Sequence, residues 1–598
     1  MKQSLSATVL GMSLTFSIDS PQAQELDISL RTEHVPAMAE TWLVRFSARS
    51  PSAGIFSIRD LSIAWSVPAV DMHGFYSGVP SIDELTRLPY WSFRKYSCAN
   101  SGLPFFALIH RGGENRLAFG LLDQLTETAL EAELSEATRS YSLRLHKPAG
   151  PAALVVSRWE EVLFLSAAHR PWPQVLQAYV QSLDRDWPQP RLVVPENAYE
   201  PVFCTWTAIH HQVSQDWVLR NARLAADLGF GTWITDDGWF TDQARFADYR
   251  YTGDWLPCLG KFPDFAGQVA AVQAMGLRYL LWVAPFMVGE ASQAVHRHAH
   301  LLGAPDPRLH IRNLSPRHPE TREVVGDLLH RLMSDYGLDG LKIDFIDSVL
   351  GDPGTPGRSP GEGAGTLGQA IYDVLSGAME RITVVKPQAL IEFRSTYANL
   401  CSRRYANLYR ASDVPINFAL NRWQITMLRL LAPDRAVLLD PALWHPGDTE
   451  ENVAAHLINA ISTVPMLSVE LERYPPAHLR LIRAWIAFYR DHKNTIVHGT
   501  FAPEIRLGHV PLIRFFGDSE RIIGLYDDVA FAPGEGPTPL WILNASTRPS
   551  VALLPEGLSG VYTVRTRDRF ARLRSERTVS FPVASLEVEV GGSLEILR

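Results

Sequence analysis

Two adjacent carboxylates, Asp236 and Asp237, end an apolar run in the segment TWITDDGWFTD. Neighbouring carboxylates repel each other, and a buried strand normally ends in a neutral turn. The pair is therefore expected to be neutralised by a cation or to accept hydrogen bonds from a polar ligand.

A second reactive grouping surrounds Asp344, which follows Lys342 by two residues in LKIDFID. In a strand both side chains project to the same face, so the cation would hold the carboxylate ionised, as a nucleophile requires. Asp413, in RASDVP, could approach a leaving group from solvent. One ionised and one protonated carboxylate roughly 5 to 6 Å apart are the equipment of a retaining glycosidase. We therefore predict Asp344 as the nucleophile and Asp413 as the general acid/base.

The elements that must position these residues form a repeating pattern over residues 201–494. Eight apolar, strand-like runs alternate there with amphipathic helical stretches. The runs are PVFCTWTAI, FGTWITDD, LRYLLWVAP, LDGLKIDFID, ALIEFRS, NLYRASD, RAVLLDP and STVPMLS. This alternation predicts a catalytic (β/α)8 barrel rather than an open doubly wound sheet.

In a barrel of this kind the active site lies at the carboxyl ends of the strands. Polar and aromatic residues end or follow almost every predicted strand, and we predict that they bind substrate. They are Trp206, Asp236, Asp237, Trp239, Trp282, Lys342, Glu392, Arg394, Arg410 and Asp440. So many charges at one mouth are costly to desolvate unless a polar ligand uses them.

Two further regions flank the predicted barrel. Residues 1–170 alternate short β-branched and aromatic runs with turn residues, which predicts an N-terminal β-sandwich. Residues 171–200 begin with Pro-Trp-Pro and continue with helical spacing, which predicts a linker helix. Residues 495–598 return to strand-and-turn composition and predict a small all-β domain. The fold class is therefore multidomain: β-sandwich, barrel and C-terminal β-domain.

Composition narrows the function classes. The chain has 598 residues, a net charge of -8 and 46% hydrophobic residues, which is typical of a multidomain globular enzyme and argues against a nucleic-acid partner. No apolar run reaches the ~18 residues that span a bilayer, so no membrane partner is expected. The four cysteines are scattered, which fits a reducing, cytoplasmic location. The N-terminus is interpreted as a first strand, with a signal peptide as the alternative.

Histidines offer a weaker signal. His296 and His300 share a helical face, but no acid or third ligand accompanies them, so a surface helix is favoured over a metal site. We expect neither a metal nor a cofactor. His210 and His211 follow the first barrel run and could contact substrate.

The motifs together resemble glycoside hydrolase family 36, the α-galactosidases and their relatives. The matching segments are DDGWF, LWVAP, LKIDF, RASD and NLSPRHPETREVV. The resemblance implies an exo-acting, retaining α-galactosidase acting by double displacement on an oligosaccharide or other α-glycoside. On this resemblance Asp236 and Asp237 would bind the O4 and O6 side of a sugar with an axial 4-OH. Because family members are often dimers or tetramers, a homo-oligomer is also expected.

The fifth strand departs from the family pattern. A cysteine and glycine-rich loop that contacts the sugar 2-OH is absent, and IEFRSTYANL stands in its place. Glu392 and Arg394 alternate onto one face, and we expect Arg394 to pair with Glu392 while the other carboxylate oxygen accepts from the 2-OH. The alternative is a free Arg394 that binds an anionic sugar. Arg410 occupies a position where many members have tryptophan.

Other functions remain open. A transglycosidase of the raffinose-synthase kind would use the same two carboxylates, and the glycone could be another axial-4-OH sugar such as N-acetylgalactosamine. A non-catalytic carbohydrate-binding protein is disfavoured because both Asp344 and Asp413 are present. The Gly- and Pro-rich segment 351–366 is interpreted as a surface insertion, with a lid as the alternative.

Overall fold

A computed structural model of the protein describes every residue except 52–53, 79–87, 89–90, 149–153, 244, 350–365, 395–396 and 398. The predicted fold class is confirmed: antiparallel N-terminal sheets precede a parallel eight-stranded barrel and a C-terminal sheet domain. The segment 351–366 lies outside the described residues apart from Thr366.

The N-terminal region is a sandwich of two antiparallel six-stranded sheets. In sheet order, the first contains Lys2–Val9, Met12–Asp19, Asp60–Pro68, Ser140–Pro148, Thr128–Ser135 and Ser92–Ser97. The second contains Asp27–His34, Thr41–Arg49, Arg158–Ser166, Asn115–Leu121, Phe105–Ile109 and Gly74–Ser77. Alternating apolar residues from both sheets meet in one core, where Phe16 stacks on Phe46 and Trp65 packs edge-on against Phe119. A strand pair, Phe56–Ile58 and Leu154–Val156, lies beside them.

The central sheet consists of eight parallel strands. In chain order, barrel strands 1 to 8 are Val202–Cys204, Thr232–Thr235, Arg278–Val283, Gly340–Ile343, Leu390–Arg394, Leu408–Arg410, Ala436–Leu438 and Met466–Leu467. Strands 1 to 7 pair in sequence order, strand 8 pairs with strand 1, and a bridge between Leu438 and Val464 closes the ring. The strands are almost continuously apolar because helices cover the outside and packed side chains fill the inside.

Helices precede, connect and follow the strands of the barrel, and the longer ones bury apolar residues. The helices are Trp172–Asp186, Trp206–Ile209, Gln215–Leu228, Phe265–Ala274, Ala294–Arg297, Pro319–Asp335, Leu367–Val385, Phe418–Leu431, Glu450–Ala460 and Pro476–Lys493. Several start at side-chain caps; for example, Thr449 accepts a hydrogen bond from the backbone of Asn452. Among the described residues, no helix is long and apolar enough to cross a bilayer.

Two smaller sheets complete the fold. Met287–Gly289, Ile311–Leu314 and Leu302–Asp306 form a three-stranded sheet in the connection between strands 3 and 4. The C-terminal sheet contains, in order, Thr500–Arg506, His509–Phe516, Arg521–Leu525, Leu540–Asn544, Ser593–Leu597, Gly560–Arg567 and Leu573–Phe581. Ser550–Ala552 and Ser585–Glu587 pair beside it.

Loops of the N-terminal sandwich support the barrel segments that follow strands 4 and 5. The side-chain amide of Asn399 donates to the carbonyl oxygens of Cys98, Gly102 and Gln124 at 3.2, 2.6 and 3.2 Å. The amide of Asn100 donates to the carbonyl of Ile346 at 2.8 Å. These side chains are fully buried, so the sandwich fixes the backbone on which part of the candidate site stands.

Candidate active site

Asp344 lies at the centre of the charged residues at the carboxyl end of the barrel. It follows strand 4, and its backbone amide continues the ladder by donating to the carbonyl of Val283. One carboxylate oxygen, Oδ1, accepts from the Phe345 amide at 2.7 Å and lies 3.2 Å from the Tyr397 hydroxyl and 2.8 Å from Arg394 Nε. The other, Oδ2, accepts from the indole of Trp282 at 2.9 Å. Oδ1 therefore has more polar neighbours than Oδ2.

The surroundings of Asp344 favour its ionised form. Burial acts to raise the pKa of its carboxyl, but the positive charges of Arg394, Lys342 and Arg410 outweigh burial and hold the pKa well below its ordinary value. The next residue, Phe345, has a φ of 57°, a left-handed backbone conformation that is rare for a large side chain. This turn places the Phe345 amide on the carboxylate.

Asp413 lies across the same opening, in the loop after strand 6. Its side chain is 54% exposed, and its two oxygens lie 3.2 Å from Arg394 Nη1 and 3.5 Å from Arg410 Nη1. Partial desolvation acts to raise its pKa, but Arg410 and Arg394 outweigh this and lower it. The two guanidinium groups at this carboxylate, which the sequence pattern did not reveal, favour its ionised form in the free protein.

Arg394 joins the two carboxylates. Its Nε lies 2.8 Å from Asp344 without a hydrogen bond, its Nη1 donates to Asp413 at 3.2 Å, and its Nη2 lies 3.1 and 3.4 Å from the two oxygens of Asp347. The expected pair between Arg394 and Glu392 does not form. Arg394 extends towards the mouth of the barrel, and Glu392 forms an ion pair with a different arginine.

That arginine is Arg410, which is buried beneath Asp413. Its Nε donates to Glu392 at 2.8 Å, and its Nη1 donates to Asp440. Asp440 also accepts from the backbone amide of Val414 at 2.7 Å, which ties down the loop that carries Asp413. Burial raises the pKa of Asp440 to about 7 and also raises that of Glu392. One oxygen of Glu392 is buried and has no hydrogen-bond partner among the described residues.

The adjacent acids after strand 2 have different partners. Asp236 forms a buried ion pair with Lys342 and also lies 3.2 Å from the thiol of Cys204. Asp237 Oδ2 lies 2.9 Å from the Nε2 of His211, and burial raises the pKa of Asp237. The other oxygen, Oδ1, is buried without a hydrogen-bond partner among the described residues. Asp236 is thus neutralised by a cation, while Asp237 Oδ1 is an unpaired acceptor within the described part of the chain.

The three predicted tryptophans occupy different layers. Trp206 is partly buried at the mouth, where its ring contacts those of His210 and His211. Trp282 is 1% exposed and serves Asp344 through its indole N–H. Trp239 is fully buried and donates to the carbonyl of Trp282 at 2.9 Å, so it supports Trp282 from behind. Asp440 is also buried and contacts Arg410.

Sequence and structure comparisons point to one family. The sequence model of the Melibiase family matches residues 191–395, which contain strands 1 to 5. The α-galactosidase AgaA of Geobacillus stearothermophilus is 33% identical over 146 residues, which span 24% of this chain and 18% of AgaA. Residues 191–395 are thus similar to the Melibiase family, and the matched relative is an α-galactosidase of which the alignment spans less than one fifth.

Whole-chain comparison extends the likeness to all three regions. A crystal structure of a doubly substituted form of the family 36 α-galactosidase AgaA, in complex with raffinose, aligns with a TM-score of 0.65 at 14% identity. That alignment covers 98% of this chain and 83% of AgaA. The α-galactosidase of Lactobacillus brevis also aligns at 0.65, with 15% identity, covering 100% of this chain and 85% of the other. At these identities the structural match shows the shared fold.

Two further residues lie beside the catalytic candidates without having been predicted as site residues: Asp347 contacts Arg394, and Tyr397 contacts Asp344. Asp347 follows Asp344 by three residues in DFID, and this spacing was an available signal for a third carboxylate. Tyr397 had no comparable signal, because it reaches Asp344 only through the path of the loop after strand 5. Among the described residues, no group of three or more His, Cys, Asp or Glu side chains is arranged to hold a metal ion. His300 lies on the surface beside Glu320.

Proposed function

We propose that the protein is an exo-acting, retaining α-galactosidase with Asp344 as nucleophile and Asp413 as general acid/base. The observation that carries this proposal is the approach of both carboxylates to one guanidinium group at the carboxyl end of the barrel. That end is where barrel enzymes act. Similarity to the Melibiase family and to an α-galactosidase supports galactose as the glycone.

The proposed reaction is a double displacement. Asp344 Oδ2, which among the described residues accepts only the indole N–H of Trp282, attacks the anomeric carbon, while Asp413 gives a proton to the departing glycosidic oxygen. A covalent galactosyl ester on Asp344 results. Asp413 then takes a proton from water, the water oxygen bonds to the anomeric carbon, and the ester bond to Asp344 breaks. The anomeric configuration is inverted twice and so retained.

The distribution of charge supports a neutral glycone. Each of the three cations at the site already contacts carboxylates: Lys342 contacts Asp236, Arg410 contacts Glu392 and Asp440, and Arg394 contacts three acids. An anionic sugar would find no uncommitted cation among them and would meet the surrounding carboxylates. Galactose instead offers hydroxyl donors to the buried oxygens of Asp237 and Glu392 that lack a partner among the described residues.

A panel of p-nitrophenyl α-glycosides tests the proposed function. The α-galactoside should be hydrolysed in preference to the α-glucoside and the α-N-acetylgalactosaminide. Product analysis of raffinose digests, with and without added acceptor sugar, separates hydrolysis from transglycosylation. If the wild-type protein turns over none of these α-galactosides, the proposed function fails. If an added acceptor collects most of the galactose, the transglycosidase alternative replaces hydrolysis.

Asp237→Asn should weaken transition-state binding of the galactosyl unit. The substitution keeps the shape but removes the charge from a buried acceptor, and hydrogen bonds to charged groups contribute ~1.5 to 3 kcal/mol each. We expect kcat/KM for p-nitrophenyl α-galactoside to fall roughly 10- to 100-fold. Asp242→Asn makes the same change at an exposed residue nearby and should leave kcat/KM unchanged. Equal values for Asp237→Asn and wild type would show that Asp237 is only structural.

A further inference from the structure

Arg394 has an unusual set of partners for a residue at a sugar-binding site. Each of its three nitrogens lies close to a carboxylate: Nη1 and Nη2 donate to Asp413 and Asp347, and Nε is 2.8 Å from Asp344 in an ion pair without a hydrogen bond. Two of these acids follow strand 4 and the third follows strand 6. The Arg394 side chain is 12% exposed, and its guanidinium also lies over the rings of Phe345 and Tyr397. Arg394 is therefore committed to the acids rather than available to a sugar hydroxyl or an anion.

We propose that Arg394 is a positioning residue that ties Asp344, Asp347 and Asp413 into one cluster and holds Asp413 ionised in the free enzyme. This inference rests on the proposed function, because it assigns Arg394 a task in the same two-carboxylate chemistry. Its consequence is that Asp413 takes up the proton it must donate only when acid or a bound sugar changes its surroundings. Filling the cleft removes water from a half-exposed carboxylate, and desolvation favours the protonated form.

The other charged groups around Asp413 do not replace Arg394. Arg410 also faces it, at 3.5 Å, but is shared with Glu392 and Asp440. Lys342 acts on Asp413 from farther away and is paired with Asp236. The carboxylates of Asp344 and Asp440 repel that of Asp413. Arg394 is thus, within the described part of the chain, the cation that contacts both members of the catalytic pair. The lowered pKa values of Asp344 and Asp413 agree with this geometry.

The pH dependence of catalysis tests the proposal. In Arg394→Met the attraction of the guanidinium on Asp413 is lost, so the pKa of Asp413 should rise. The basic limb of the pH profile of kcat/KM should therefore move to higher pH by about one to three units. Arg394→Lys keeps a charge near the cluster and should move the limb less. Asp347→Asn removes a competing partner of Arg394 and should leave the limb in place or move it down. A constant-factor loss at every pH in Arg394→Met would overturn the proposal, since that is the signature of a lost sugar contact.

A second readout does not depend on activity. In the wild type, Asp344 and Asp413 have depressed pKa values, so their contribution to stability is present above the ordinary carboxyl pKa of ~3.9 and is lost as pH falls through the folded values. In Arg394→Met three carboxylates face one another without their cation, so the folded variant should bind protons more readily. The deficit in unfolding free energy relative to wild type should therefore be largest at pH 7.5 and shrink towards pH 4.5.

The two readouts separate the possible failures. An inactive wild type would reject the proposed function, and the stability curves would still decide whether Arg394 holds the cluster. An active wild type with a deficit in Arg394→Met that is the same at every pH would reject the task assigned to Arg394 alone.

Discussion

Asp344→Asn is expected to lower the turnover of p-nitrophenyl α-galactoside by at least ~10⁴-fold, the scale on which loss of a nucleophile acts in other hydrolases. The amide cannot form the galactosyl ester, although it keeps the size of the carboxylate and can still accept from the indole of Trp282. Steady-state kinetics with folded protein, verified by circular dichroism, measures the loss.

Two controls make this result specific. Asp347→Asn makes the same chemical change three residues along, at another partner of Arg394. It should lower turnover by less than ~10²-fold, because the proposed mechanism gives Asp347 no covalent role. Added azide should partly restore turnover in Asp344→Asn, since it can attack the anomeric carbon from the side that Asp344 vacates. One inversion from an α-galactoside gives β-galactosyl azide. Near-native turnover in Asp344→Asn would end its assignment as nucleophile.

Asp413→Asn should show a loss that depends on the leaving group. Protonation by a positioned acid contributes roughly 10²- to 10⁴-fold, so substrates with poor leaving groups such as raffinose should lose that much. A dinitrophenyl α-galactoside needs little acid assistance, and its first step should remain close to that of wild type. The second step lacks its base, so the galactosyl-enzyme should accumulate and appear as a burst of dinitrophenol.

Azide again distinguishes the two roles. In Asp413→Asn it needs no general base, and it should displace Asp344 from the galactosyl-enzyme to give α-galactosyl azide after two inversions. The opposite anomers from the two variants would therefore assign the nucleophile and the acid/base independently. A uniform loss across the leaving-group series in Asp413→Asn would indicate that Asp413 is not the acid.

Regular patterns in the chain were enough to predict which charged residues lie at the carboxyl end of the barrel. Eight apolar runs specified eight barrel strands, and the rule that barrel sites lie at carboxyl strand ends brought Asp237, Asp344 and Asp413 together from the sequence alone. The motif resemblance supplied the expected chemistry. These inferences depend on periodicity and strand order, which are local in sequence.

The pairing of charges could not be predicted in the same way. Alternation placed Glu392 and Arg394 on one face of strand 5, but it did not reveal that Arg410 on the neighbouring strand reaches back to Glu392. Nor did it show that Arg394 is the cation that contacts Asp344. The partner of a long side chain depends on which groups it can reach on neighbouring strands. Alternation along one strand gives only the face on which the side chain lies.

The sequence also did not reveal how deeply each side chain is buried. Trp239 belongs to the same short motif as Asp237, yet it is buried with its ring stacked on those of Trp255 and Phe265. A residue type and a motif position do not distinguish a side chain that lines the opening from one that supports the layer behind it. Here the supporting layer is continuous: Trp239 holds the carbonyl of Trp282, and Trp282 holds Asp344.

The stereochemistry of the first product tests the central claim most directly. Proton NMR during the first minutes of hydrolysis of p-nitrophenyl α-galactoside by the wild-type enzyme distinguishes the two anomers of galactose before they equilibrate. Double displacement through Asp344 predicts that α-galactose appears first and β-galactose grows in later by mutarotation. Initial release of β-galactose, which requires a single displacement by water, would contradict the account.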